Sequence, residues 1–382
     1  MIKHRKGKTV WAHRAFFPAA CLYAAIAIPL SVFAMTSGRG WPLALIGQGH
    51  GFELLFGFAL AVVAGYTLGP TEPGLLAVLF ACWLTGRIAH FIAPFSPGGL
   101  VLSVLFALLL AWQIVPRFVA AKKWRNRLLM PLLGGLCVLP MGYLIARQIG
   151  SPAMSGLILH EAVLFLSLLA AFMGGRVIAP AVAGELQKQG RNLEARVQPR
   201  VEAGFILLLI VAAPALAIPG GKLIAGTMGV LAGVLIWIRL LRWQLWHCRA
   251  RPDLIGLAVG YAWLGCGLGL FGISVATGLH VTGALHVITI GALGTLTSSI
   301  MCRTHYQRLR RAPPPTPLVV WIIATIALAT LARVAANFNA WSHSGLLLWL
   351  AAFAWTACFA VLGLLFTAEL CRGWLSTQRK KA

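Results

Sequence analysis

Residues 99–127 read GLVLSVLFALLLAWQIVPRFVAAKKWRNR, and this stretch decides the fold. The first 18 residues carry no charge, and the next 11 carry five lysines and arginines. A helix needs about 20 mostly apolar residues to cross a bilayer, and lysine and arginine collect in the loops on the cytoplasmic side. The stretch therefore predicts a membrane helix that ends in the cytoplasm.

The same pattern repeats along the whole chain. It predicts about twelve membrane helices, at residues 15–36, 51–70, 73–93, 99–116, 128–147, 155–178, 201–218, 222–241, 254–277, 281–301, 318–340 and 345–367. The apolar runs are continuous and do not alternate with period two, which favours helices over a β-barrel. Helices also satisfy the backbone polar groups inside lipid. The predicted fold class is therefore all-α, a polytopic transmembrane helix bundle forming a single integral-membrane domain over residues 1–382.

The charge of the chain is strongly unbalanced, with 32 lysines and arginines against 8 acidic residues and a net charge of +24. In a soluble protein this balance would point to nucleic acid. Here 26 of the 32 basic residues fall into six clusters, at 3–14, 117–127, 188–200, 239–251, 303–311 and 372–381. Every cluster lies on the side of the N-terminus if twelve helices cross the bilayer. The clusters are thus an orientation signal, which predicts cytoplasmic termini, the lipid bilayer as partner and no nucleic acid.

Short motifs of soluble enzymes are missing from the sequence. It contains no HExxH, no CxxCH and no glycine-rich phosphate loop, so enzymatic activity stays an open question. The eight cysteines include no CxxC pair, which argues against a disulfide framework. His247 with Cys248 and Cys302 with His305 lie at predicted cytoplasmic helix ends, where they form a weaker candidate for a soft-metal site.

Polar residues within the predicted helices collect at one depth, near the predicted outer surface. Six of the ten histidines share this layer: His50, His90, His160, His280, His286 and His343. The layer also contains Glu53, Arg87, Glu161, Arg333 and Asn337. A charge inside the bilayer costs about 2.5–3.5 kcal/mol, so these side chains are expected to turn toward the protein interior. Because imidazole is a common ligand of haem and copper, the layer predicts a metal or haem site.

Helical spacing groups several of these residues into pairs. A separation of three or four residues places two side chains on one helix face, and this holds for His50 and Glu53, Arg87 and His90, and Arg333 and Asn337. Small residues follow Glu53 at positions 57, 61 and 65. Such a line of small residues indicates contact with another helix instead of lipid.

Three stretches resemble the NnrS family of membrane proteins. The first is GQGHGFELLFGF at 47–58 with AGY at 64–66, similar to the family's WHxHE-x-x-FGF…AGF segment. The second is MGGRVI at 173–178 with Pro180, similar to MGGRVIP, and the third is LHVITIGALG at 285–294 with Met301 and Arg303, similar to LHALTVGAxG…MxR. WLTGR at 83–87 and GYAW at 260–263 fit the same pattern. The resemblance therefore covers nearly the whole chain.

The resemblance implies a multi-pass bacterial inner-membrane protein that binds haem and copper. It also implies a link to nitric oxide response, to relief of nitrosative stress and to denitrification. His50 and Glu53 match the first histidine and the glutamate of WHxHE, and His286 matches the histidine of the third motif. Gly174, Gly175 and Arg176 match the MGGR motif. The chain departs from the pattern at Gly49 and Phe52, where the family has a tryptophan and a second histidine, and it lacks the GHTGR that follows the third motif.

The layer of polar residues and the family motifs together predict roles for individual residues. We predict His50 and His286 as haem or metal ligands, with His90 and His160 as reserves. Glu53 and Glu161 are predicted partners that orient a ligand histidine, and Arg87 and Arg333 are predicted partners of haem propionates. The site is expected to take a small diatomic ligand such as nitric oxide.

Two other functions stay open. A set of Glu, His and Arg at one depth could form the relay of a proton-coupled small-molecule transporter. The predicted position near the outer surface argues against this, because transporter sites lie near the midplane. The second alternative is a structural membrane protein without a cofactor.

Overall fold

The computed structural model describes residues 9–94, 96–120, 124–337 and 344–379. Within these ranges, twelve helices are long and apolar enough to cross a membrane, as predicted, and we number them α1 to α12. They are α1 His13–Thr36, α2 Gln48–Thr67, α3 Pro73–Ile92, α4 Pro97–Val119, α5 Leu129–Gln148, α6 Pro152–Lys188, α7 Glu194–Ala217, α8 Lys222–Arg242, α9 Pro252–Thr277, α10 Val281–Arg310, α11 Thr316–Ala335 and α12 Ser344–Arg372. Two short strands, β1 Val10–Trp11 and β2 Pro70–Thr71, pair antiparallel beside them. The all-α, multi-pass membrane fold is confirmed.

Several helices are longer than the predicted spans. α6 was expected over 155–178 and runs to Lys188, and α10 was expected over 281–301 and runs to Arg310. The residues added to α10 are mostly polar or basic, and those added to α6 include three alanines, Leu186, Gln187 and Lys188, which are good helix formers, so both helices continue beyond the predicted spans. Hydropathy marks only the part of a helix that lies in the bilayer. His343 and the predicted end of α11 at 338–340 lie outside the described residues.

Two helices contain a π-helical segment. In α2 it covers Glu53–Ala59, and in α10 it covers Val287–Gly294. His50 lies three residues before the first segment, and His286 directly precedes the second. α2 and α10 are also the two most buried of the twelve helices. Because π-helical turns are frequent at functional sites, their position supports the two histidines as functional candidates.

The chain folds into two compact units. Unit 1 comprises Met1–Ala162 and Phe359–Ala382, and unit 2 comprises Val163–Cys358. In unit 1, Phe17 of α1 packs against Phe366 of α12, with ring centroids 6.3 Å apart. The first and last membrane helices therefore share one core. The single integral-membrane domain over the whole chain stays a prediction.

In unit 2, α8 and α9 pack backbone to backbone. Gly226 and Gly229 of α8 face Gly272 of α9, and Gly233 faces Gly265. A Cβ atom at Gly233 would lie 2.6 Å from the carbonyl oxygen of Gly265, which is too close for any side chain. Small residues at four-residue spacing permit this close approach, which in lipid strengthens van der Waals packing.

Candidate functional site

A buried charge cluster in unit 1 is centred on Glu53. Oε1 of Glu53 lies 2.6 Å from Nη1 of Arg87, and both side chains are almost fully buried. The hydroxyl of Tyr23 donates to Oε2 of Glu53, and Nη2 of Arg87 donates to Oγ of Ser103. Nε2 of His90 lies 3.7 Å from Oε1 of Glu53. Arg87 and His90 therefore share a face, as predicted, and the negative charge of Glu53 is balanced by Arg87.

Gly57 leaves the space for this cluster, and Trp83 packs beside it. A Cβ atom at Gly57 would lie 2.8 Å from Nη1 of Arg87, so only glycine leaves room for the guanidinium. One turn before Arg87, Nε1 of Trp83 donates to the carbonyl oxygen of Gly57 at 2.8 Å. The predicted line of small residues after Glu53 is thus a helix contact, and the WLTGR stretch fits around it.

Phe52 lies at the centre of the polar residues of unit 1. Its ring centroid is 5.4 Å from that of His90 and 4.7 Å from that of Tyr143. The guanidinium carbon of Arg87 lies 5.6 Å from the same ring. Phe52 occupies the position of the second histidine in the WHxHE motif. An apolar side chain therefore fills the space between these polar groups.

His50 is held by α1. Its Nδ1 lies 2.9 Å from Oγ of Ser31, and that hydroxyl donates its own hydrogen to the carbonyl oxygen of Leu45 at 2.7 Å. Because the hydroxyl hydrogen is used, Ser31 accepts a hydrogen bond from Nδ1–H of His50. The proton on Nδ1 places the lone pair of the imidazole on Nε2, the atom that binds metals in this tautomer.

His286 has the same arrangement in unit 2. Its Nδ1 lies 2.6 Å from the carbonyl oxygen of Thr282, which can only accept, so Nδ1 carries the proton and Nε2 the lone pair. Metal-binding histidines almost always donate their second N–H to an oxygen in this way. Both predicted ligands therefore have the tautomer that a metal requires.

Arg333 lies beside the start of α10. Its Nη1 donates to Oδ1 of Asn337 at 3.1 Å, which confirms the predicted pair. A Cβ atom at Gly283 would lie 3.2 Å from Nδ2 of Asn337, so this pair is next to the first turn of α10. Unit 2 thus brings a histidine and an arginine to the same end of two adjacent helices.

The remaining site candidates lie on α6 and in the loop after α8. His160 and Glu161 are half-buried neighbours on α6 and, being consecutive, point in different directions. Glu161 forms no ion pair with the part of the chain that the structure describes. The weaker candidate at Cys248 lies between α8 and α9, where burial raises the pKa of its thiol. A raised pKa disfavours the thiolate that a soft metal needs.

A family model described as NnrS protein matches residues 10–373, nearly the whole chain. The chain belongs to the NnrS family. No curated protein matches it. Membership in the NnrS family, together with twelve membrane helices, supports a multi-pass membrane protein with a broad role in the response to nitric oxide.

The structure explains the MGGR stretch of this NnrS protein as a packing device. Gly174 lies against the ring of Tyr261, and Gly175 lies against the guanidinium of Arg239, with no room for a side chain at either glycine. Arg239 pairs with Glu202 at 3.1 Å and donates to the carbonyl oxygen of Ala171 at 2.9 Å. Arg176 packs over the ring of Phe172 at 4.7 Å.

Sequence reasoning missed this second buried ion pair. Arg239 was counted among the cytoplasmic basic residues, yet it is 2 % exposed and is bound to Glu202 inside unit 2. The signal was present, because Glu202 is an acidic residue at the start of a predicted span. Tyr23, Ser31 and Ser103 were missed for another reason: nothing in their local sequence shows that they reach Glu53, His50 and Arg87.

The donor atoms of this NnrS protein fit haem better than copper. Haem iron needs only one or two axial ligands, and His50 and His286 each have the proton on Nδ1 and the lone pair on Nε2. In the described part of the chain, no group of three or more His, Cys, Asp or Glu side chains could hold a metal ion. The structure therefore provides candidate ligands for haem and no assembled set for copper.

Proposed function

We propose that this NnrS protein is a haem protein of the bacterial inner membrane that binds nitric oxide and helps to relieve nitrosative stress. The observation that carries the proposal is the shared geometry of His50 and His286. Each donates Nδ1–H to a fixed oxygen and so directs its lone pair to Nε2. Denitrification is the class of reaction that would supply the nitric oxide.

When bound, haem supplies an iron centre that takes a small diatomic ligand. His286 would hold the iron, with its ring orientation fixed by the carbonyl oxygen of Thr282. Arg333, oriented by Asn337 at the same end of unit 2, would pair with a propionate. Arg87 is already bound to Glu53 and Ser103, so we assign the propionate role first to Arg333. For the copper that the family implies, the described part of the chain has no group of three or more His, Cys, Asp or Glu side chains that could hold it.

Visible absorption of the purified protein, expressed with excess haem, tests this proposal. We expect a Soret band that shifts on addition of nitric oxide. His286→Ala and His50→Ala should each abolish or shift the band if both residues bind iron. His247→Ala is the matched control, because His247 lies in the loop between α8 and α9, and it should leave the band unchanged. Absence of a Soret band in the wild-type protein refutes the haem proposal, and unchanged bands in both alanine variants refute the ligands.

Ser31→Ala separates the roles of the two histidines. The change removes the acceptor that orients His50 while keeping the imidazole itself. Loss of such a supporting hydrogen bond lowers metal affinity by about 10–100-fold. We expect haem titration to show this loss if His50 is a ligand. Haem affinity equal to that of the wild type would leave His286 as the ligand and exclude His50.

A proton-coupled transporter is the second candidate, and the buried cluster at Glu53 favours it. A carboxylate at this burial, in contact with Tyr23 and close to His90, has the composition of a membrane proton relay. Uptake driven by a pH gradient in proteoliposomes distinguishes the candidates. Proton-driven uptake without a Soret band would support the transporter, and a Soret band without uptake would support the haem protein.

A further inference from the structure

α10 carries a line of polar side chains along one face. Thr295, Ser299 and Arg303 are four residues apart within its α-helical part, so they lie above one another. Gly291 continues the line into the π-helical segment. The i→i+5 bonding of a π-helix brings residues five apart into register, which aligns His286 with Gly291. The line therefore runs from His286 to Arg303.

Three polar atoms along this line have no hydrogen-bond partner among the residues that the structure describes. They are Oγ1 of Thr295, Oγ of Ser299 and Nε1 of Trp263 on α9. Thr295 is 1 % exposed and Ser299 is 6 % exposed, so solvent around the protein does not reach them. Buried polar groups in proteins are nearly always paired with protein or ordered water. These three atoms therefore require a partner other than the residues that the structure describes.

Hydroxyl groups on other faces of the same helix are satisfied internally. Oγ of Ser298 donates to the carbonyl oxygen of Gly294 at 2.6 Å, and Oγ1 of Thr297 donates to that of Leu293 at 2.6 Å. The unpartnered groups are thus confined to the face that carries Thr295 and Ser299. This contrast also provides matched controls within α10.

Two of the three unpartnered groups lie where α9 and α10 are in contact. The ring of Trp263 lies against Gly291, where a Cβ atom would be 3.1 Å from the indole. Further along, a Cβ atom at Gly256 of α9 would lie 3.2 Å from Oγ of Ser299. Thr295 lies between these two contacts. Ser299 and the ring of Trp263 therefore lie at the interface between α9 and α10.

An ion-pair cluster closes this line at the end away from His286. Nη1 of Arg303 pairs with Oδ2 of Asp253, and Asp253 is 4 % exposed. Arg251 binds both carboxylate oxygens of Asp253 at 3.0 Å and also pairs with Glu185 at 3.1 Å. A fixed arginine at the end of a pore is a barrier to protons and cations.

We propose that water molecules bind between α9 and α10 and join Thr295, Ser299 and Trp263 in a hydrogen-bonded chain that the Arg303–Asp253 pair closes. Buried water needs two to four polar partners, and the two hydroxyls and the indole provide them. Each water in such a chain accepts a proton from one neighbour and releases one to the next. A proton is thus passed along the chain while each water molecule is left as it was. Because the Arg303–Asp253 pair closes the other end, protons enter this chain only from the His286 end and do not cross the membrane. This inference goes beyond the proposed function and needs no haem.

Proton leakage through haem-free proteoliposomes tests the chain. A potassium diffusion potential drives protons, and a trapped pH-sensitive dye measures their entry. We expect the wild-type protein to leak no more than empty liposomes, and Arg303→Gln to leak severalfold faster. In Arg303→Gln, Asp253 keeps its bonds to Arg251, so its buried carboxylate stays paired. The double variant Arg303→Gln/Ser299→Ala should return toward the wild-type rate, because the chain is broken.

Arg303→Gln/Ser298→Ala is the control, since Ser298 is the adjacent residue with a satisfied hydroxyl. It should leak as fast as Arg303→Gln alone. Equal leakage in both double variants, or no leakage in a folded Arg303→Gln protein, overturns the proposal. A wild-type structure at a resolution that shows water provides a measurement independent of any variant. Density bridging Thr295, Ser299 and Trp263 is the expected result, and a dry interface refutes the chain.

Discussion

Arg87→Met is expected to destabilise unit 1 by about 3–5 kcal/mol, because it leaves the buried carboxylate of Glu53 without its cation. Both side chains are almost fully buried, so solvent does not screen the loss. Methionine keeps much of the volume of arginine, which separates the effect of charge from that of packing. The free energy of unfolding, measured by denaturant titration in detergent micelles, checks this value.

Two further variants define the cause of that loss. Arg87→Met/Glu53→Gln removes both charges and should recover a large part of the stability, because no uncompensated charge remains. Arg372→Met breaks the exposed pair with Glu369 and should change stability by less than about 1 kcal/mol. A double variant as unstable as Arg87→Met alone would show that the loss comes from packing.

Gly233→Val is expected to destabilise unit 2 by about 1–3 kcal/mol or more, because the new side chain meets backbone on α9. The carbonyl oxygen of Gly265 would lie 2.6 Å from the added Cβ, and the amide nitrogen of Gly269 would lie 2.9 Å from it. Backbone atoms cannot rotate away as a flexible side chain can. Thermal unfolding followed by circular dichroism measures the effect.

Gly269→Ala is the matched control for this contact. Gly269 lies on the opposing helix of the same interface, yet a Cβ atom there would meet nothing within 4 Å. Because alanine has a higher helix propensity than glycine, stability should stay the same or increase slightly. A loss in Gly269→Ala as large as that in Gly233→Val would indicate that the interface is sensitive to any change.

The sequence predicted the helices well, because apolar length and basic clusters reflect the bilayer directly. It also predicted that Arg87 and His90 share a face and that Arg333 pairs with Asn337, since both predictions need only helical spacing. The family motifs added His50 and His286 as ligands, which stays a prediction. The structure adds the hydrogen bonds that fix their tautomers.

The contacts that the sequence did not predict join distant parts of the chain. Ser31 and His50 are 19 residues apart, and Arg239 and Glu202 are 37 residues apart, so no local pattern connects them. The π-helical segments were a second reason why the sequence alone could not assign residues to helix faces. An α-helical spacing rule applied across Val287–Gly294 assigns residues on its two sides to the wrong faces, because the repeat is longer there.

The composition of unit 1 has a consequence for how the protein is made. Its helices α1 to α5 are synthesised before unit 2, but Phe366 of α12, which packs against Phe17 of α1, is synthesised after it. Unit 2 is one continuous stretch, Val163–Cys358, and can be completed while α12 is still being translated. Chains generally fold in the order in which their domains are finished. Unit 2 can therefore be synthesised in full before the contact between Phe17 and Phe366 forms, so unit 1 is completed only after unit 2 has been made.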